Sequence, residues 1–308
     1  MKTETRPRTT APPGAAPSRH LGWFGNPWRK PRILEGITWL YLAWSVLPVI
    51  VAVVFSFNQG RSRSAWQGFS LTWWWEDPYE SLFKNPLLRP AIFQSFRLAI
   101  FTTLLAVPIG TAFAIGLDRW RGRPAKVANF SVLMAFVVPE IILGLALLLS
   151  FQNFLTFVPL GTAAQVIGLV TWQIAYAVII VRARLLTIGR EYEEAAMDLG
   201  ASPTRSIRRV LLPLLTPAMF ASAAIVFADS IDDFVTVRYL SAGANTEPLS
   251  VKIYNAARAS PTPAVNAAAT FMLVATFTVI TVGFFAYRYL TRGQRREGAV
   301  KEFVSFEV

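Results

Sequence analysis

The sequence predicts an all-α integral membrane protein with six transmembrane helices and both termini in the cytoplasm. Three observations lead to this prediction. Hydrophobic residues make up 54% of the 308 residues and charged residues only 16%, which is too apolar for an ordinary soluble domain. Six apolar runs are long enough to cross a bilayer, and the basic residues are concentrated in alternate connections between these runs.

The six predicted spans divide the chain into three parts. A helix of about 20 apolar residues crosses the hydrocarbon core of a bilayer. Residues 1–35, rich in Pro, Thr and basic residues, are predicted to be a disordered cytoplasmic tail, and residues 291–308 a C-terminal cytoplasmic tail. The transmembrane domain covers residues 36–290, with spans at residues 36–57, 91–117, 127–151, 165–181, 214–239 and 264–290.

The basic residues determine the predicted orientation. Of the 30 Lys and Arg residues, 22 lie in the two tails and in the second-to-third and fourth-to-fifth connections. Basic residues are retained on the cytoplasmic side of a membrane. Six lie on the opposite side, which is therefore predicted to be external: Arg61, Arg63, Lys84, Arg89, Lys252 and Arg258.

Composition argues against several classes of site. The chain has no cysteine and only one histidine, His20 in the tail, so we expect no thiol catalysis, no disulfide and no Cys- or His-based metal site. We expect no catalytic residue and no bound cofactor in this chain. The net charge of +12 is explained by topology, so the expected partner is the lipid bilayer and not nucleic acid.

Carboxylates inside the predicted spans are the first functional candidates, because a charge at membrane depth is costly and is usually retained for function. The fifth span contains Asp229, Asp232 and Asp233, whose spacing places Asp229 beside both others on one helical face. Glu140 follows Pro139 near the middle of the third span. This pattern suggests a path for a cation. Alternatively, Asp232 and Asp233 cap a helix end or pair with arginines in the spans.

Aromatic residues in the fourth and fifth spans could line such a path. The candidates are Trp172, Tyr176, Phe227 and Phe234, because aromatic ring faces attract cations. A polyamine, with ammonium groups along an aliphatic chain, would suit this combination. The alternative is that these aromatic residues serve packing alone.

The connection 191–213 is polar in an otherwise apolar region. Three glutamates open a predicted helix that runs from Glu191 to Gly200, where a left-handed glycine would end it. Ser202 and Pro203 are then predicted to begin a second helix, which Pro213 ends near the membrane surface. Residue patterns alone do not separate a docking helix from a solvated linker.

A resemblance favours the docking helix. Glu194-Ala195-Ala196, Gly200 and the run from Val210 to Pro213 resemble, in residue type and spacing, the EAA loop of inner-membrane permeases of ATP-binding-cassette (ABC) importers, with valine at a usual isoleucine position. The resemblance implies a type I ABC importer permease fold and a coupling helix that docks on a cytoplasmic ABC ATPase dimer. The docking residues would be Glu191, Glu194, Ala195, Ala196, Leu199 and Gly200.

The resemblance also implies the remaining subunits and a solute. The fifth-span sequence DSIDDFV, the external segment after it and the third-span Pro-Glu are similar to spermidine/putrescine-type permeases of the C type. That family implies a second, homologous permease and an extracytoplasmic substrate-binding protein facing residues 249–258. The chain contains no phosphate-binding loop and no Gly-Lys pair, so ATP and Mg are expected on the partner ATPase.

Three alternatives stay open. The same type of importer could carry another small amine- or carboxylate-bearing solute. A stand-alone ion-coupled carrier would be expected to show internal repeats, which the sequence lacks. A membrane-embedded enzyme would need convergent catalytic or metal-binding groups, for which only the Asp229–Asp233 cluster is a candidate.

Overall fold

The computed structural model describes residues 32–62, 65–120, 122–259 and 263–304, and they are predominantly helical. They also contain two π-helical turns, Thr72–Glu76 and Ile207–Leu211. The α-helices are α1 (Arg32–Phe55), α2 (Leu88–Arg119), α3 (Arg123–Val137), α4 (Glu140–Asn153), α5 (Thr162–Ile188), α6 (Glu191–Asp198), α7 (Pro203–Ser206), α8 (Leu212–Asp232), α9 (Val235–Leu240), α10 (Leu249–Ala259) and α11 (Pro263–Val304).

The chain forms two compact units, residues 1–49 and 50–308. The described part of the first unit is helical and its apolar side chains are exposed, as expected of a membrane-spanning helix taken alone. The predicted tail boundary is wrong, because α1 already begins at Arg32; residues 1–31 lie outside the described residues. At the C-terminal end α11 continues past residue 290 to Val304, and residues 305–308 of the predicted tail lie outside the described residues.

The helices agree with the predicted membrane class. In the described residues, five helices are long and apolar enough to cross a membrane, and the pair α3–α4 provides a sixth crossing if it is counted as one span. The predicted third span, residues 127–151, is not one helix, because α3 and α4 meet at an angle of 110°. Val138 is extended, with ψ of 124°, as a residue before proline prefers to be, and Pro139 has no N–H to continue the helix.

Helices α2, α5 and α8 form the centre of the second unit. Leu98, Val178 and Leu215 are fully buried where these helices pack. At Gly110 the backbones of α2 and α5 approach so closely that a Cβ atom there would lie 2.5 Å from the Cβ of Ala177. Small residues allow this close packing, which membrane helices use to associate in the absence of a hydrophobic driving force.

The segment from Pro203 to Asp232 is one continuous 30-residue helical segment. The prediction that Pro213 ends the second helix of the loop is therefore wrong. The N–H of Leu212 bonds to the carbonyl of Ile207, five residues back, and this widened turn accommodates the proline that follows. The predicted fifth span is also too long, because α8 ends at Asp232 and a short helix, α9, follows a break at Asp233.

The external segment between α1 and α2 is held together by aromatic residues. The indole N–H of Trp73 donates to the carbonyl of Asn58 at 2.7 Å, and that of Trp74 donates to the carbonyl of Ser56 at 3.2 Å. The rings of Phe57 and Trp74 stack with centroids 5.5 Å apart. Amphipathic indoles suit the membrane–water interface, where the sequence places this segment.

Candidate functional site

The acids predicted to line a path lie close together at the external half of α8. The carboxylate of Asp229 accepts a 2.6 Å hydrogen bond from the side-chain amide of Gln173 on α5. Asp229 is near enough to Asp232 and Asp233 to repel both electrostatically. In the chain taken alone, Asp229 is half-buried and Asp232 is exposed. The spacing predicted one helical face for all three acids, but Asp233 lies beyond the last residue of α8, so only Asp229 and Asp232 share that helix.

Asp233 differs from its neighbours because it caps a helix. It is only 9% exposed, and its Oδ1 accepts the backbone N–H of Val237 at 3.1 Å at the start of α9. Its carbonyl accepts the hydroxyl of Ser250, on α10, at 2.6 Å. The suggested arginine partners are engaged elsewhere: Arg238 pairs with Glu247 at 2.8 Å, and Arg97 donates to Gln94 and Thr162.

The bend between α3 and α4 brings Glu140 to the same cluster. Glu140 is the first residue of α4, where a carboxylate suits the positive end of the helix dipole. It is exposed in the isolated chain, and it lies within electrostatic reach of Asp233 and of the hydroxyl of Tyr176. Three elements thus contribute to one acid cluster, which we define as Glu140, Asp229, Asp232 and Asp233.

An aromatic group adjoins the acid cluster. The rings of Trp172 and Tyr176 lie 5.7 Å apart, and Phe136 packs edge-on against Tyr176 at 4.6 Å. Phe227 does not join them. It is 7% exposed and packs among Leu82, Ala91, Met272 and other apolar side chains. Two positions separate it from Asp229, which puts it on another face of α8, so the packing alternative applies to Phe227.

Two buried polar atoms of α5, on the side of the acid cluster, have no hydrogen-bond partner in the part of the chain that the structure describes. They are the indole nitrogen of Trp172 and the side-chain oxygen of Gln173. Buried polar groups are normally paired, so these two atoms are free to bond a solute or water. Among the described residues no group of three or more carboxylates or histidines is arranged to hold a metal ion.

The polar connection contains the predicted short helix, α6, which ends at Asp198, two residues before the predicted end. Gly200 has φ of +86°, in the left-handed region as predicted. Glu191, Glu194, Ala195 and Leu199 are exposed, Leu199 by 90%, whereas Ala196 is half-buried. Ser202 occupies the position before α7 and Pro203 begins that helix, but the Ser202 side chain makes no capping hydrogen bond.

The family to which the chain belongs follows from comparison with known proteins. Residues 106–296 match the model of the family described as binding-protein-dependent transport system inner membrane component. The chain belongs to this family. It is a multi-pass inner-membrane protein, and the matched region contains α6, Gly200 and all four residues of the acid cluster.

Relatives and a solved structure agree with this assignment. The permease is 32% identical over 240 residues to the spermidine/putrescine transport system permease protein PotC of Haemophilus influenzae, covering 78% of this chain and 90% of the relative. It is 32% identical to the putrescine transport system permease protein PotI of Escherichia coli strain K12, covering 88% and 93%. A crystal structure of a bacterial ABC transporter involved in alginate import has the same fold, with a TM-score of 0.65 at 15% identity, covering 85% and 96%.

Sequence reasoning missed Gln173 and Phe136. Gln173 is a polar residue inside an apolar span, which was an available signal, since buried amides in membrane helices usually bond to a neighbouring helix. Phe136 gave no such signal. Its contact with Tyr176 exists because α3 lies along α5 below the bend at Pro139.

Proposed function

We propose that this permease is the membrane subunit of an ABC importer that moves polyamines inward by alternating access. The observation that carries the proposal is the acid cluster, which gathers four carboxylates at membrane depth while the two candidate arginines are engaged elsewhere. Uncompensated carboxylates at this depth are costly unless a cation neutralises them in use. Two similar permeases are named for spermidine or putrescine transport.

The shape of the cluster suits an elongated amine. The carboxylates come from α4, from α8 and from the break between α8 and α9, so they are spread over more than one helix and can meet ammonium groups separated by an aliphatic chain. Tyr176 offers a ring close to Asp229 and Glu140. A cation over such a ring gains about 0.5–2 kcal/mol, more when water is excluded.

Exposure of two acids argues for a second permease subunit. Glu140 and Asp232 are exposed in the isolated chain although both lie at membrane depth. Charged side chains in membrane proteins face protein or a water-filled cavity and not lipid. We therefore place a second, homologous permease over this face, with the solute path between the two subunits.

The cytoplasmic and external helices are proposed to meet soluble partners. Helix α6 presents Glu191, Glu194 and Ala195, and the almost fully exposed Leu199 follows its last residue. This mixed polar and apolar surface suits a groove on an ABC ATPase dimer, which would bind ATP and Mg. On the other side of the membrane α10 is proposed to face a substrate-binding protein. Glu247, paired with Arg238 and Lys252 at 2.8 Å each, links α10 to α9 beside the acid cluster.

The test is uptake of labelled spermidine and putrescine by cells that express the permease with its partner subunits. A variant with Asp229, Asp232 and Glu140 replaced by Asn, Asn and Gln is compared with the natural chain at equal membrane abundance. We expect ATP-dependent polyamine uptake by the natural chain and its loss in the variant. Retention of uptake by the variant would refute the acid path.

Two further outcomes separate the alternatives. If the natural chain assembles with its ATPase but imports no polyamine, the solute is wrong, and other amine- or carboxylate-bearing solutes are tested in its place. If uptake proceeds without the ATPase subunit and follows an ion gradient, the chain is a stand-alone carrier and the importer proposal fails.

A further inference from the structure

Two ion pairs join the short helix α6 to the cytoplasmic end of α2. Arg119, the last residue of α2, pairs with Glu193 of α6. Arg190, the residue before α6, donates to the backbone carbonyl of Asp118 at 2.7 Å and to its carboxylate at 3.3 Å. We call these four residues the α2 clamp. The carbonyl of Asp118 lies in the last turn of α2, where helical partners are missing, so Arg190 also caps that end.

Because a glycine turn lies on each side of α6, the orientation of α6 depends on the α2 clamp. Gly189 has φ of +72° and Gly200 has φ of +86°, so the chain turns at each through a conformation that glycine adopts at little cost. Without other contacts, α6 could swing about these two turns. Helix α6 also packs against the segment that begins at Pro203, where the hydroxyl of Ser206 donates to the backbone carbonyl of Glu193 at 3.4 Å.

The three glutamates at the start of α6 do not face the same way. The side chain of Glu193 is 12% exposed and turned toward Arg119, whereas Glu191 and Glu194 are exposed. One carboxylate is thus used within the permease and two are left for a partner. This division separates the residues that orient α6 from those that would dock it.

Helix α2 is placed to carry a displacement of α6 to the acid cluster. It packs along both α5 and α8, with Gly110 at the close crossing on α5. Helix α5 carries Gln173, and α8 carries Asp229, the two residues whose side chains join these helices at the acid cluster. A shift of the cytoplasmic end of α2 is therefore transmitted to the walls of the proposed path.

We propose that the α2 clamp forces α2 to move with α6, and that it thereby sets how many solute molecules are imported per ATP hydrolysed. This inference rests on the proposed function, in which α6 docks on the ATPase. Asp118, Arg119, Arg190 and Glu193 act as positioning residues, since the proposal gives them no contact with solute or ATP.

The first measurement follows the orientation of α6 in the complete transporter in lipid nanodiscs. The permease contains no cysteine, so spin labels placed through Ala112→Cys on α2 and Asp198→Cys on α6 report a single distance once the partner subunits are also made cysteine-free. We expect a narrow distance distribution in the otherwise natural chain and a broadened one after Glu193→Gln together with Arg190→Gln. An unchanged distribution overturns the proposal.

Two variants control for general damage. Glu80→Gln removes a carboxylate of comparable type from the exposed Arg61–Glu80 pair in the external segment, and it should leave the distribution narrow. The exchanged pair Arg119→Glu with Glu193→Arg rebuilds one ion pair with reversed polarity, and it should restore most of the narrow distribution. Failure of the exchange, with the chain folded and abundant, counts against the clamp.

The second measurement compares solute import with ATP hydrolysis in proteoliposomes containing all subunits. For Glu193→Gln with Arg190→Gln we expect ATP hydrolysis and subunit recovery to persist while solute imported per ATP falls about fivefold. If the natural transporter couples import to ATP hydrolysis and the variant imports the same amount of solute per ATP, this inference is overturned and the proposed function stands. A natural chain that recruits no ATPase overturns the proposed function and, with it, the role in coupling.

Discussion

The side-chain amide of Gln173 donates a 2.6 Å hydrogen bond to the carboxylate of Asp229 and so joins α5 to α8 at the acid cluster. Gln173 is fully buried, whereas Asp229 is half-buried on the side of the proposed path. The amide therefore orients one carboxylate of the cluster and leaves its other oxygen available. Both stability and transport should depend on this contact.

Replacing Gln173 by Leu should lower the thermal stability of the purified permease. The change leaves a half-buried carboxylate without its partner, which costs about 1–3 kcal/mol. The matched control is Thr171→Val on the same helix, whose exposed hydroxyl bonds only to the carbonyl of Ile167, within its own helix. The control should shift the free energy of unfolding by less than about 0.5 kcal/mol. Equal shifts in the two variants would contradict the structural role of Gln173.

Asp232 and Asp233 are neighbours, yet alanine at Asp233 should lower the amount of folded protein, whereas alanine at Asp232 should lower uptake. Asp233→Ala removes the cap of α9, which costs about 1 kcal/mol, so we expect less folded protein in the membrane. Asp232→Ala removes an exposed carboxylate, so abundance should persist while polyamine uptake per molecule falls. Immunoblots of membranes and labelled uptake measure the two quantities. The assignment is wrong if Asp232→Ala reduces abundance and Asp233→Ala does not.

The effect of a substitution at Gly200 should depend on how readily the new residue adopts a left-handed backbone conformation, and not on the size of its side chain. A Cβ atom there meets nothing within 4 Å, but φ of +86° is strained for other residues. Gly200→Ala should cost about 1 kcal/mol and weaken ATP-dependent uptake, and Gly200→Asn should be milder because Asn accepts left-handed backbone more readily. Gly116→Ala makes the same change at another open position, inside α2, and should retain uptake. A Gly200→Asn variant worse than Gly200→Ala would refute this explanation.

The external segment should lose stability in acid through Asp77. The pKa of its carboxyl lies below the ordinary 3.8 because Oδ1 accepts the backbone N–H groups of Glu80 and Tyr79, at 2.7 and 2.8 Å. A lowered folded-state pKa contributes stability that is present above the ordinary value and is lost as the pH falls through the folded value. Tryptophan emission followed from pH about 5 downward should therefore change less steeply in Asp77→Asn, since Asn accepts both bonds at any pH. Asp198→Asn on α6 should match the natural chain, and identical curves for all three would disprove the prediction.

Features set by local chemistry were predictable from the sequence. The acidic start of α6, the left-handed Gly200 and the shared face of Asp229 and Asp232 all depend on residues a few positions apart. The resemblance around Glu194 and Gly200 is the basis for the coupling role proposed for α6.

Features set by distant contacts were not predictable. Pro139 and Pro213 look alike in sequence, but one lies at a 110° bend and the other lies in a continuous helix. The difference depends on tertiary packing, since α4 turns to pack on α9 while α8 stays packed on α2. Likewise Glu193 could not be told from its two neighbours, because its partner Arg119 lies 74 positions earlier in the chain.

The unbroken helical segment from Pro203 to Asp232 has a mechanical consequence. Its 30 residues make a rod about 45 Å long that starts beside α6 and ends at the acid cluster. If this rigid helix pivots about its middle, a tilt of about 10° moves its two ends by about 4 Å in opposite directions. A pull at the cytoplasmic surface would then move Asp232 in the opposite direction, so that the two ends of the proposed path would open in turn and not together.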